Sequence, residues 1–379
     1  MLPKKREPMT WLIYTFVIVM MSTCILQPDD WPMYQGNPQH TGFSLSKMPQ
    51  PLKQSWYTQE SRGLTSLVVA GETLVVAGSL HVCARDIHTG TVLWKTTSSH
   101  SFFSAVLNQK VYASGRSGIS CFDKKTGDLL WKYDGISLGP SFVAFDNYIV
   151  ISSNFNVFIT YVQDHNGTIT ESERKMKRIL CLNRKTGELI WEFYTDCTVH
   201  YFPGYSNGLI YINDECRYVY CVHAVTGDVI WKTLLASASS TSVSLDEKRI
   251  FVGTEQGIIC LHQKTGEELW KFECGTVYKI VTVAYEKVFF SVGETVYCLD
   301  VKNGDLIWEI EIKSVVSSNI AAADKKIVFG TGDGTVYVLS RKGEIVETVT
   351  LDDSPVWVCV ISNKKLFVGQ ENGGMYCFG

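Results

Sequence analysis

Thr226-Gly227-Asp228-Val229-Ile230-Trp231 is followed, about forty residues on, by Thr265-Gly266-Glu267-Glu268-Leu269-Trp270, and this recurrence decides the fold. Earlier copies are Thr89-Gly90 with Trp94, Thr126-Gly127 with Trp131, and Thr186-Gly187 with Trp191. Asn303-Gly304 with Trp308 continues the series, and Lys342-Gly343 with Glu347 is a decayed copy. Successive tryptophans stay about forty residues apart except for one gap of about sixty, the period of four-stranded propeller blades.

Each repeat spells one blade. In the fifth, Ser240 to Leu245 reads as the innermost strand, Arg249 to Gly253 as the second, Ile258 to His262 as the third and Glu268 to Phe272 as the outermost. Gly266 sits in the turn before the Trp strand, where a tight hairpin needs a positive φ. A single blade cannot bury its own faces, so the indoles of Trp56, Trp94, Trp131, Trp191, Trp231, Trp270 and Trp308 read as wedges between neighbouring blades. Each would bury ~150–250 Å². Outer-strand positions do not converge, which argues against cofactor stacking by the set.

The ends of the chain set the blade count. Val356 to Phe378 offers three strands and stops before the Trp-bearing one, whereas Leu52 to Tyr57 looks like that missing strand. Pairing the two closes the ring and leaves no open edge. The expectation is therefore an all-β, eight-bladed β-propeller of four-stranded antiparallel blades, closed by N-terminal strand pairing with the C-terminal blade. Residues 30–379 would form the propeller and 1–29 would precede it.

The Thr-Gly-x-x-x-Trp repeats resemble those of the PQQ-like (pyrroloquinoline-quinone) propeller superfamily, and Asp30-Trp31-Pro32-Met33-Tyr34-Gln35-Gly36-Asn37-Pro38-Gln39-His40-Thr41-Gly42 looks like the lead-in of many bacterial and archaeal members. That superfamily includes quinone-dependent alcohol dehydrogenases and the propeller lipoprotein of the outer-membrane barrel-assembly machinery. Such dehydrogenases carry a vicinal Cys-Cys pair over the cofactor, a calcium site of Glu and Asn, and a catalytic Asp. This chain has no Cys-Cys dipeptide and lacks the extra length that houses those loops. The resemblance therefore implies the fold without the quinone cradle. No catalytic set, cofactor or metal site is assigned, and the question of enzyme activity stays open with a non-enzymatic role preferred.

Charge is nearly balanced, net -3, with no basic patch, which excludes the usual nucleic-acid binder. Lys4, Lys5 and Arg6 ahead of the apolar stretch Trp11 to Met21 have the layout of an export signal. Met21-Ser22-Thr23-Cys24 resembles a lipobox, leaving lipidation of Cys24, ordinary cleavage and retention as a membrane anchor as alternatives. The chain has 12 cysteines. Cys83, Cys121, Cys181, Cys221, Cys260, Cys298 and Cys377 are read as equivalent third-strand positions, too far apart to pair and acting as small buried apolar residues. Cys197 and Cys216 share a blade, and a bridge between them is left open. No close Cys/His cluster has the sequence spacing of a zinc site.

Strand order puts the Thr-Gly turns on one uniform face and the variable loops on the other, the default place for binding on a rigid scaffold. Blade three carries an insertion at about 154–177, read as a hairpin around Asp164-His165-Asn166-Gly167. Phe158, Tyr161, Asp164, His165 and Asn166 are its candidate partner-contacting residues; a lid over the channel and an inert decoration are the other readings. Starts of the innermost strands should ring the channel mouth with Arg62, His100, Phe103, His200, Tyr201, Tyr278, Lys279 and Trp357. Aromatics beside cations suit an anionic or planar small molecule, and equally a water-filled plug. The function expected is an exported, monomeric protein-binding scaffold at the cell envelope, membrane-associated through its N-terminal segment or lipid. The alternative is small-molecule binding or quinone-dependent oxidoreductase-like chemistry at the channel.

Overall fold

The computed structural model describes residues 29–60, 64–78, 81–97, 103–116, 118–135, 141–158, 161–163, 169–171, 175–195, 197–199 and 201–379. Among these, eight four-stranded antiparallel sheets follow one another along the chain as blades. Blade one comprises Leu64–Ala70, Thr73–Gly78, His81–Asp86 and Val92–Thr97. Blade eight is made of Val356–Ser362, Lys365–Gln370 and Gly374–Phe378, completed by Gln54–Gln59 from the other end of the chain. In that closing pair Trp56 lies opposite Cys377 and Tyr57 opposite Tyr376, so the ring shuts as the spacing of Trp56 from Trp94 predicts.

Inner and outer strands differ in how they are buried. The second strand of blade one, Thr73–Gly78, is buried throughout, packed on both faces by neighbouring blades. The outermost strand Val92–Thr97 is mostly exposed and buries Trp94, its third residue, as the period of two requires for a strand with one covered face. Five further blades repeat the pairing of Trp56 with Cys377: Cys121, Cys181, Cys221, Cys260 and Cys298 stand opposite Trp131, Trp191, Trp231, Trp270 and Trp308. These thiols are fully buried.

Blade one breaks the cysteine series. Ala84, not Cys83, stands opposite Trp94, and Cys83 pairs with Lys95. A shift of one residue along a strand sends the side chain to the other face, so Cys83 is not equivalent to the other six. The signal was in the spacing, because Cys83 precedes Thr89 by one residue more than Cys121 precedes Thr126.

The lead-in forms a belt inside the ring. Trp31 exchanges backbone hydrogen bonds with Val69 of blade one at 2.9 and 2.8 Å, and the amide of Val106 in blade two donates to Pro32 O at 2.7 Å. Amides of Tyr205, Leu245 and Val283, in blades four, five and six, donate to the carbonyls of Pro38, Gln39 and Thr41. Ala322 N in blade seven donates to Gly42 O at 2.7 Å, and Ser362 Oγ in blade eight donates to Asp29 O at 2.5 Å. Met33 packs into the apolar cluster that contains Phe142 of blade three. A belt that runs through an axial channel needs partners for its backbone polar groups, and the inner strands supply them. These partners lie toward the ends of the inner strands that lead into the first turn. The belt therefore seals the channel on the Thr-Gly side and leaves the opposite mouth to the variable face.

Candidate functional site at the channel mouth

Above the belt lies a cavity of about 180 Å³. Its floor is Trp31, Tyr34 and Gln35 from the belt. Blades one and two contribute Thr65, Ser66, Leu67 and Phe103, and Lys279, Ile280, Asn319, Trp357 and Val358 come from blades six to eight. Tyr34 is held flat against Phe202, ring centroids 3.8 Å apart at 10°, with Phe103 edge-on to Phe202 at 4.4 Å. Two backbone bonds and this aromatic stack fix the floor.

Lys279 and Trp357 meet across the opening, the ammonium lying 5.1 Å from the indole centroid. Burial holds the Lys279 pKa below the ordinary lysine value, since a low-dielectric site disfavours the charged form. Among the described residues its ammonium has no hydrogen-bond acceptor and no counter-charge. Gln35 is 3% exposed, and neither its amide nitrogen nor its amide oxygen has a partner among the described residues. Its backbone is left-handed, φ 54, an unusual state for a residue with a Cβ. The other polar linings are satisfied: Asn319 exchanges two 3.0 Å bonds with the backbone of Cys359, and Ser66 Oγ meets Ser104 Oγ at 3.0 Å.

Of the eight residues expected at the mouth, Phe103, Lys279 and Trp357 line this cavity. Tyr278 projects outward, 74% exposed, and the Tyr201 hydroxyl is turned to donate to Ser239 O at 3.3 Å. Arg62, His100 and His200 lie outside the described residues, as do Cys24, Asp164, His165 and Asn166. Trp31, Tyr34 and Gln35 were missed as site residues because a lead-in has no blade register from which to place them. The clue was the density of aromatic and amide side chains in Trp31-Pro32-Met33-Tyr34-Gln35.

On the same side, the second and third strands of blade three run on as Tyr148–Phe158 and Lys175–Asn183. Phe158 pairs with Lys175. Tyr161–Gln163 and Ile169–Glu171 form a further two-stranded ribbon in which Val162 faces Thr170. Equivalent second strands in other blades have 5 or 6 residues, against 11 here. In blade four, Cys197 and Cys216 form a disulfide, with Cα atoms 5.7 Å apart.

The family of the outer membrane protein assembly factor BamB matches residues 39–170, 175–271 and 254–375. The chain belongs to this family. Among solved structures, BamB from Moraxella catarrhalis shares the fold with a TM-score of 0.69 at 14% identity, covering 86% of this chain and 97% of that one. A europium-containing methanol dehydrogenase shares it at 0.73 and 13% identity, covering 91% and 90%. Tetrathionate hydrolase of Acidithiobacillus ferrooxidans is 26% identical over 157 residues, a match spanning 39% of this chain and 32% of that protein. These likenesses place a BamB-family chain beside both an assembly factor and enzymes on one architecture, so its own site must be read from its own residues.

In this BamB-family chain the cavity does not fit a calcium-held quinone. Calcium takes six to eight oxygen ligands, carboxylates prominent among them. No carboxylate lines the cavity among the described residues, the Asn319 amide is engaged with Cys359, and the Lys279 ammonium opposes a cation.

A second cluster lies where blade eight meets blade one. Glu60 accepts from Arg85 Nε at 2.9 Å, from a second guanidinium nitrogen, and from His81 Nε2 at 3.1 Å, with Cys83 Sγ 3.8 Å away. Sequence spacing shows no such cluster, but the fold brings Glu60, His81 and Cys83 within metal-ligand reach of one another. The Arg85 guanidinium holds the carboxylate there, and burial pushes the Cys83 thiol up to about 11. The arrangement is that of a buried ion pair at the ring closure.

Proposed function

We propose that this chain is an exported, non-catalytic scaffold of the cell envelope that captures a protein partner with the variable face of its propeller, the blade-three ribbon acting as the arm. The observation that carries this reading is the continuation of the blade-three strand pair past the blade into a second ribbon. A ring whose blade-three strand pair is lengthened among the described residues offers a partner both shape and backbone edges. Membership of the BamB family supports an envelope role, and the Cys197–Cys216 disulfide suits an oxidising compartment outside the cytoplasm. Membrane attachment through the N-terminal segment, by lipid on Cys24 or by retention, completes the proposal.

The test is in-cell crosslinking with mass spectrometry, comparing the intact chain with a variant in which 156–176 is replaced by a short turn. The expected result is a partner crosslinked to the intact chain and lost from the variant, with the thermal midpoint unchanged. Equal capture by both forms removes the arm from the proposal, and no protein partner for either removes the scaffold. The channel-mouth cavity favours small-molecule binding as a second reading.

A further inference from the structure

We propose that the channel-mouth cavity binds a small organic carboxylate, its charged end accepting from the Lys279 ammonium and from Gln35 Nε2 and its apolar body against Trp357 and Phe103. This stands on residues separate from the blade-three arm and does not depend on the scaffold reading.

Charge comes first. Lys279 is a half-buried cation beside an indole face, and among the described residues no anion or carbonyl meets it. A partly desolvated charge without a partner is disfavoured, and a bound carboxylate would supply both the counter-charge and two acceptor oxygens. Water could hydrogen-bond the ammonium but could not neutralise it.

Gln35 is the independent second observation. It lines the floor, is 3% exposed, and leaves both amide atoms without partners. Buried amides of this kind are almost always satisfied, so a fully buried exception points to a missing occupant. Its left-handed φ of 54 is held by the belt bonds on either side, Gly36 N to Met33 O and Gly42 N to Gln35 O, at 2.9 and 3.0 Å. A strained backbone maintained by its surroundings is frequent at ligand sites.

Shape sets the ligand class. Trp31, Leu67, Phe103 and Trp357 give apolar walls, and a volume of about 180 Å³ is close to the ~150 Å³ cavity that suffices for benzene. The groups that would hold the ligand come from the belt, blade two, blade six and blade eight, the convergence expected of a preformed pocket. The occupant is thus a compact monoacid with a flat or branched apolar part.

Benzoate is the probe and benzamide its uncharged counterpart, titrated calorimetrically into the full propeller and into Lys279→Met and Lys279→Arg, with circular dichroism and thermal midpoints to confirm folding. Saturable benzoate binding is expected, at least about tenfold tighter than benzamide. The preference should vanish in Lys279→Met and return in Lys279→Arg. An absence of saturable benzoate binding by the unaltered protein overturns the proposal. So does a folded Lys279→Met that keeps the preference for benzoate over benzamide. If Lys279→Met fails to fold, the comparison of benzoate with benzamide on the unaltered protein decides, and equal affinities reject the site.

Discussion

Trp231 in blade four lies so close over Gly266 in blade five that a methyl group on that glycine would sit 2.6 Å from the indole Cε3. The same indole donates its N–H to Gln263 O at 3.0 Å. The pattern repeats around the ring: Trp56 covers Gly90, Trp94 covers Gly127, and Trp308 covers Gly343. Thr-Gly and Trp adjoin in sequence, yet each Trp seats on the glycine of the next blade. The motif is a link between blades.

Trp231→Ala should therefore cost ~3–5 kcal/mol, combining lost transfer energy with a cavity between blades. Gly266 has φ 71 besides its contact with the ring, so Gly266→Ala adds left-handed strain to overpacking, and should cost on the order of 2–4 kcal/mol. Urea unfolding checks both. A loss below ~1 kcal/mol for Trp231→Ala would contradict the wedge.

Glu347 occupies the Trp position of blade seven for a local reason. In blade eight the third strand Gly374–Phe378 pairs with Gln54–Gln59, which does not follow it in the chain, so no Thr-Gly turn joins them for an indole to seat on. Instead Glu347 Oε1 accepts the amide of Leu52 at 2.7 Å, just ahead of the closing strand. Glu347→Ala should loosen that strand, at a cost of about 1 kcal/mol for a half-buried charge-assisted bond. Hydrogen exchange should show faster protection loss across residues 54–59 than in the Trp94 strand. Unchanged exchange there would separate Glu347 from closure.

His40 makes stability pH-dependent. It is 1% exposed and donates from Nδ1 to Val243 O at 3.0 Å, and burial lowers its pKa from 6.5 to about 4. Below pH 6.5 the unfolded chain takes up a proton that folded His40 refuses until about pH 4. The unfolded state gains, so stability falls as pH drops through this window and levels off beneath it. The full interval corresponds to roughly 3 kcal/mol at about 1.4 kcal/mol per pH unit. His40→Asn, which keeps a donor and tolerates the left-handed φ of 56, should flatten most of the fall in urea midpoints between pH 6.5 and 4. His81, also pushed down chiefly by burial, leaves a smaller residue of it.

Legibility differed between fold and site. Thr-Gly turns, strand alternation and the Trp period are local properties, and they placed the blades and the closing strand from Trp56. Lys279, Trp357 and Phe103 were legible as mouth residues because each lies at or just ahead of the start of an inner strand: Phe103 opens Phe103–Leu107, Trp357 is second in Val356–Ser362, and Lys279 precedes Thr282–Ala284 by three residues. Gln35 and Tyr34 were not, since the belt pairs with six blades through backbone groups that carry no side-chain signature. Cys83 was misplaced by reading a series where the spacing to Thr89 already departed from it.

By itself, then, the sequence determined the repeat, the strand order and the eight-blade closure, because turn chemistry and apolar periodicity act over a few residues and repeat. Only the tertiary structure decided that each Trp grips the next blade's glycine and that Cys197 bonds Cys216. It alone brought positions 35, 279 and 357 around one cavity. The Trp–Gly contacts depend on how neighbouring blades pack and the disulfide on how one loop folds back, with a sequence separation of 19; only the cavity depends on ring closure, which juxtaposes residues hundreds of positions apart by packing and backbone hydrogen bonding, neither of which leaves a periodic trace in the chain.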